Sequence, residues 1–197
     1  MPKPADHDQR RRQITDAARQ VVARDGLRAA TFRSIATEAG LSVRLVQYYF
    51  GSKEDVLRAT RAAVAADAAQ RMQRAVSELA GDSRPAEVIR AILLELLPID
   101  VARREDTMVL DAFFFAEITS TAAETPSDDA ADASGYLQDL VCQQVVLAGA
   151  DPSTAEADAR LIVAAASGLA QAMLADARLV ARAPGLIDRL LDRMLVH

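Results

Sequence analysis

Arg44, Gln47 and Tyr48 fall within five residues of one another in the stretch LSVRLVQYYFGSKEDVL, residues 41–57. Arginine presents a planar fork of N–H donors that fits the edge of guanine. Glutamine can pair with adenine, and a small apolar group such as Val43 can touch a thymine methyl. A tyrosine hydroxyl (Tyr48) and a lysine ammonium (Lys53) suit phosphate oxygens. This set of side chains is fitted for reading a nucleic acid.

Such a set works only if an element holds it. Ser42 is a good N-cap, and Val46 and Phe50, four apart, form one buried stripe, with Tyr49 at its edge and Leu45 on the neighbouring face. The spacing predicts a helix from Val43 to about Tyr49, with Val43, Arg44, Gln47 and Tyr48 outside. Two turns are too few to be stable alone, so neighbours must hold them. Thr31 caps a second short helix, Phe32–Ala39, with Phe32, Ile35 and Ala36 inward; Gly40 breaks it and Leu41 anchors the turn. Before it, Ile14, Ala17, Ala18, Val21 and Val22 recur at helical spacing and end near Asp25-Gly26. After Gly51, Ser52 with Asp55 reads as a capping box opening a long fourth helix through Val56, Leu57, Val64, Met72 and Val76 to Gly81-Asp82. Two short helices joined by a glycine turn and packed on a preceding helix make a helix-turn-helix unit.

Charge agrees with that division. The chain has 197 residues and a net charge of −5, but residues 1–61 hold 12 Lys and Arg against 7 Asp and Glu, a net +5. The rest, with 11 bases and 21 acids, is at −10. A basic head on an acidic body fits a protein of which only the head meets a polyanion. The single cysteine, Cys142, excludes an internal disulfide and a cysteine zinc site, and is read as a small hydrophobe or, less simply, a thiol sensor. The two histidines, His7 and His197, offer no metal set or triad, and no cofactor or metal is expected. MPKPADHDQRRRQ lacks the apolar core of a signal peptide, and LIVAAASGLAQAMLA (161–175) is shorter than a membrane span, so the expected location is cytoplasmic. No phosphate loop or nucleophile–base pair appears, and Asp128-Asp129 sit in a polar segment. An enzyme, like a protein-interaction module, is therefore a minor alternative.

The run TFRSIATEAGLSVRLVQYYFGSKEDVL, residues 31–57, resembles the DNA-binding signature of the tetracycline-repressor (TetR) family of bacterial transcription regulators. The resemblance takes in the whole first quarter of the chain. It implies that Thr31 and Arg33 contact DNA from the start of the second helix, and that Ser42, Val43, Arg44, Leu45 and Gln47 lie at the recognition helix's reading surface. Tyr48 and Lys53 match positions that bind phosphate. Position 47 is often tyrosine in the family and is Gln here, so the bases read cannot be transferred from a relative. Arg10, Arg11 and Arg12 fit either a DNA-contacting arm or a solvated one.

The body carries helical patterns at Pro85–Leu97, Val101–Thr121 and Tyr136–Leu147, separated by Pro98 and by a small, acidic, partly loop-like stretch at 121–135. Another runs from Ala155 to Ala181, and a last one follows Pro184-Gly185. The resemblance implies a helical bundle that binds a small molecule and pairs with a second subunit. Candidate lining residues are Met72, Leu93, Met108, Phe114, Glu117, Tyr136, Gln143 and Met173, although ordinary core is the favoured reading of each Met, Leu and Phe among them. Glu117, Gln143 and Gln144 would be telling if they faced inward. Small residues such as Ala165 and Gly168 permit close helix approach, and Leu161, Leu169, Leu186, Leu190, Leu191 and Met194 are candidates for a homodimer interface or for closing the monomer core.

The fold expected is all-α, with a helix-turn-helix DNA-binding domain over 1–55 and a ligand-binding and dimerisation domain over 56–197, linked by the fourth helix at about 53–80. The function expected is a homodimeric regulator of a palindromic DNA operator. A repressor released by an unknown small-molecule effector is the first choice, and an activator or dual regulator of the same family the alternative.

Overall fold

The computed structural model describes residues 4–119 and 128–195; these residues form helices and their connections, with no strand among them. The helices are α1 (Pro4–Asp25), α2 (Phe32–Ala39), α3 (Val43–Phe50), α4 (Lys53–Ser77), α5 (Pro85–Glu95), α6 (Val101–Thr119), α7 (Asp128–Leu147), α8 (Pro152–Ala175) and α9 (Ala183–Met194). A 3-10 segment over Ala177–Arg182 separates the last two. The all-α expectation holds.

The chain divides into two compact units. The first takes residues 1–66 with 108–122, and the second takes 67–107 with 123–197. In the first, Ile14, Ala18, Val21, Val22, Ile35, Val46, Phe50, Val56, Val64 and Val109 form one buried cluster. Each fully buried Ile or Val contributes about 1.5–3 kcal/mol, so α2 and α3, too short to persist alone, are held by this shared core. The second half of α6 belongs to the same cluster, with Met108, Leu110 and Phe113 packed on it. In the second unit Ile89, Leu93, Leu97, Val141, Val145, Ile162, Met173, Ile187 and Leu191 form the core.

Three boundaries differ from the sequence expectation for local reasons. The helix expected from Tyr136 begins at Asp128, within the stretch read as partly loop-like, whose alanines favour helix. Residues 121–127 lie outside the described residues. The helix expected from Ala155 to Ala181 stops at Ala175, because Asp176 turns extended and its carboxylate accepts from the Arg178 backbone N–H at 3.0 Å. Asx side chains offer the backbone this alternative to helix. At the other end α8 starts earlier, on Asp151 as N-cap with Pro152 in its first turn. By length and composition alone α8, at 24 residues, reaches the size of a membrane span, which the 15-residue apolar stretch did not. Seven of its residues, from Ala155 to Met173, are buried in the second unit.

Candidate nucleic-acid interface

The turn between α2 and α3 is built by backbone geometry. Gly40 has φ 65°, a left-handed conformation that costs other residues a Cβ clash. Its N–H bonds to Thr37 O at 3.2 Å, and the Leu41 N–H reaches back to Ala36 O at 2.9 Å. This pair of bonds is a Schellman close. Ser42 then opens α3, its hydroxyl accepting from the Leu45 N–H at 3.2 Å. Removing such a cap costs about 1 kcal/mol. Ser42→Ala accordingly lowers unfolding free energy by about that amount in urea titration, while an effect near zero would show α3 to be held by its core alone.

Val46 and Phe50 are buried, Val43, Arg44, Gln47 and Tyr48 are exposed on the same eight-residue helix, and the capping Ser42 is exposed beside them. Tyr48 is 76% exposed, and its ring meets Tyr49 edge-on at 5.3 Å. Tyr49 is half-buried and packs on the core. Leu45 is half-buried too, so its side chain is less available than its sequence position suggested.

Thr31 has a second task besides its candidate contact. Its hydroxyl accepts from the Ser34 N–H at 3.1 Å, while the Thr31 N–H donates to the Ser34 hydroxyl at 2.9 Å, a reciprocal capping box. Arg33, in the first turn, is exposed. Lys53 is half-buried, its ammonium donating to Leu27 O at 3.3 Å, which leaves two of its three donors for an anion. Ser52 and Asp55 pair as expected at the start of α4. The Asp55 N–H donates to the Ser52 hydroxyl at 3.0 Å and that hydroxyl to the carboxylate at 2.6 Å. The hydroxyl, with Arg58 beside it, holds the Asp55 carboxyl below the ordinary carboxylate range.

The three consecutive arginines do not form an arm. They lie within α1, where Arg10 and Arg11 are half-buried and Arg12 is exposed. Arg11 donates to Tyr49 O at 2.6 Å, a partner 38 residues away. Sequence reasoning missed this contact because nothing local announces it.

The candidate lining residues of the body divide between the two units. Met108, Phe114 and Glu117 belong to the first, and Met72, Leu93, Tyr136, Gln143 and Met173 to the second. Leu93 and Met173 are buried in one core cluster and Met72 is half-buried. Phe114 and Tyr136 are about half exposed, at 51% each, and Gln143 is exposed. Glu117 does not face inward; it pairs with Arg61, which also lies 5.6 Å over the Phe113 ring. Gln144 is half-buried. The polar groups that are interior come from elsewhere. Arg71 (α4) bonds Asp106 (α6) at 2.8 Å, and Arg103 (α6) pairs with Glu95 (α5) at 3.0 Å and with Asp100 at 3.2 Å. Asp106 is 3% exposed.

Of the interface candidates, Leu161, Ala165 and Leu186 are exposed, Leu169, Leu190 and Met194 half-buried, and Leu191 is buried in the core. On α8 the exposed set Leu161, Ala165, Gly168 and Ala172 repeats at three- and four-residue spacing, opposite the buried Ile162, Ala166, Ala170 and Met173.

A two-turn helix with an outward polar face, joined by a glycine turn to a second short helix and packed with α1, defines a helix-turn-helix unit. Residues 14–60 match the family described as bacterial regulatory proteins, tetR family. The regulator PksA of Bacillus subtilis (strain 168) is 33% identical over 113 residues, covering 57% of this chain and 54% of PksA. A transcriptional regulator from Rhodococcus sp. Rha1 superposes with TM-score 0.77 at 24% identity, over 94% of this chain and 93% of that one. The Saccharomonospora viridis protein solved in complex with choline gives TM-score 0.77 at 21% identity, over 94% and 96%. Residues 14–60 are thus similar to the DNA-binding region of tetR-family regulatory proteins, and the described fold is that of these solved structures. It spans about half the length of the curated relatives it matches.

Proposed function

We propose that this protein is a sequence-specific DNA-binding regulator, acting as a homodimeric repressor that a small molecule releases from a palindromic operator. The observation that carries the reading is the outward face of α3. Arg44, Gln47 and Tyr48 are exposed together while Val46 and Phe50 anchor the helix. Base-reading groups sit at the centre of that face, and Tyr48 and Lys53 at its rim suit phosphate. The relatives' names support regulation rather than catalysis.

The exposed small-residue stripe of α8, with Leu186 and Leu190 of α9, suits pairing with a second copy. Isologous pairing relates two recognition helices by a two-fold axis, and the operator then mirrors that symmetry. Release requires that the effector bind one conformation more tightly than the other; equal binding to both changes nothing. The choline complex of the S. viridis protein supports a small-molecule effector for a chain of this fold. Such a protein works in the cytoplasm, beside the DNA.

A gel shift with the DNA upstream of the protein's own coding sequence, run beside sedimentation of the free protein, tests the proposal. A discrete complex that resists excess random duplex, formed by a dimer, supports it. Binding that random duplex competes away equally, or a monomer at the same concentration, contradicts it. Within this reading Lys53→Ala weakens operator and random duplex alike and lowers the log–log salt slope by about 0.9, the loss of one phosphate contact. Fluorescence anisotropy across a salt series checks this; an unchanged slope would remove Lys53 from the phosphate contacts.

A further inference from the structure

Arg10, Arg11 and Arg12 invite reading as phosphate ligands, yet the structure gives the middle one different work. Its guanidinium donates from Nη1 to Tyr49 O at 2.6 Å and lies 4.0 Å over the centre of the Phe50 ring. One planar group thus engages the carboxyl end of α3 in two ways. A cation at the negative end of a helix is favourable, and a guanidinium over an aromatic face adds a cation–π contact.

The neighbouring residues extend the bracket. Gln13 donates to Ala39 O, the last carbonyl of α2, at 2.8 Å, and Arg10 donates to the Gln13 amide oxygen at 2.6 Å, which orients it. His7, one turn before Arg11 on α1, tilts against the Tyr49 ring at 4.9 Å. Both helices of the helix-turn-helix therefore end on side chains of α1.

We propose that Arg11 is a positioning residue for DNA recognition: it fixes the rotation of α3 about its own axis, and so the direction in which Arg44 and Gln47 point, without itself contacting phosphate. The inference rests on the proposed reading of DNA by α3. The N-terminus of α3 is fixed by Ser42, and its carboxyl end is held against rolling by the Phe50 seat, by Tyr49 packed on the core and against His7, and by the Arg11 bond. Base contacts are lost with small errors in donor direction, because hydrogen bonds weaken steeply away from linearity. Phosphate attraction is far less directional. Loss of Arg11 therefore falls on specificity and spares the salt-dependent component.

The test uses full-length Arg11→Gln, Arg11→Lys and Arg12→Gln beside the wild-type chain, with duplexes enriched by the wild-type protein from a random pool. Hydrogen exchange without DNA gives an independent arm. Arg11→Gln should accelerate exchange of the α3 amides while Ile14–Ala23 stay protected, and unchanged α3 exchange overturns the proposal whatever the DNA result. With DNA, Arg11→Gln should lose about tenfold or more on the enriched duplex, keep its affinity for scrambled duplex and retain the wild-type salt slope. Arg11→Lys should not rescue, because an ammonium cannot bond the carbonyl and cover the ring with one plane. Rescue by lysine together with a slope lowered in Arg11→Gln would make Arg11 a phosphate ligand and overturn the proposal. Failure of the wild-type chain to enrich any sequence would instead overturn the DNA-reading function.

Discussion

On the proposed reading of DNA by α3, Arg44→Ala costs about 1–3 kcal/mol at its base pair, roughly 5- to 160-fold in operator affinity, and random duplex loses far less. Arg44 is exposed on α3, so the folded head should survive the change. Gln47→Ala should relax preference at a different base pair by a similar amount. The two positions lie three apart on one helix face, so they address adjoining steps and their effects need not add. Affinity measured on operator variants checks this pair. If both alanine variants keep the wild-type rank order of sequences, the α3 face does not read bases.

The second large effect is on stability. Asp106 is 3% exposed and bonds Arg71 at 2.8 Å, while the Arg71 side chain is 20% exposed. Removing one partner of such a pair leaves a poorly solvated charge, which costs about 3–5 kcal/mol. Glu95, 3.7 Å from Arg71, partly compensates, so Asp106→Ala should sit at the lower end. Replacing both partners, as Arg71→Met with Asp106→Leu, should recover most of the loss, because two apolar groups owe nothing to desolvation. Urea unfolding of the two singles and the double decides it. A single-variant loss below about 1 kcal/mol would mean that the pair is solvated, as exposed ion pairs are.

What could be read from the sequence followed the range of the forces involved. The α3 wheel was legible because Ser42, Val46 and Phe50 state a cap and a stripe within nine residues. Gly40 was legible because a left-handed turn requires so specific a residue. The role of Arg11 was not, since its partners Tyr49 and Phe50 lie 38 residues on or more, and three adjacent arginines read alike until one of them meets a carbonyl. The second half of α6 shows the same limit. Met108 and Phe113 look like body residues by position but pack with the head's core. The apolar candidates Leu93 and Met173 proved to be core, and Glu117 an ion-pair partner, because periodicity tells that a face is buried but not what it meets.

Selection of duplexes from a random pool by the full chain, in parallel with an Arg44→Ala, Gln47→Ala double variant, tests the central claim most directly. The account predicts that the wild-type protein enriches a two-fold-symmetric site and that the double variant loses the preference while still binding DNA at low salt. Equal enrichment by both proteins, or none by the wild type, would contradict it.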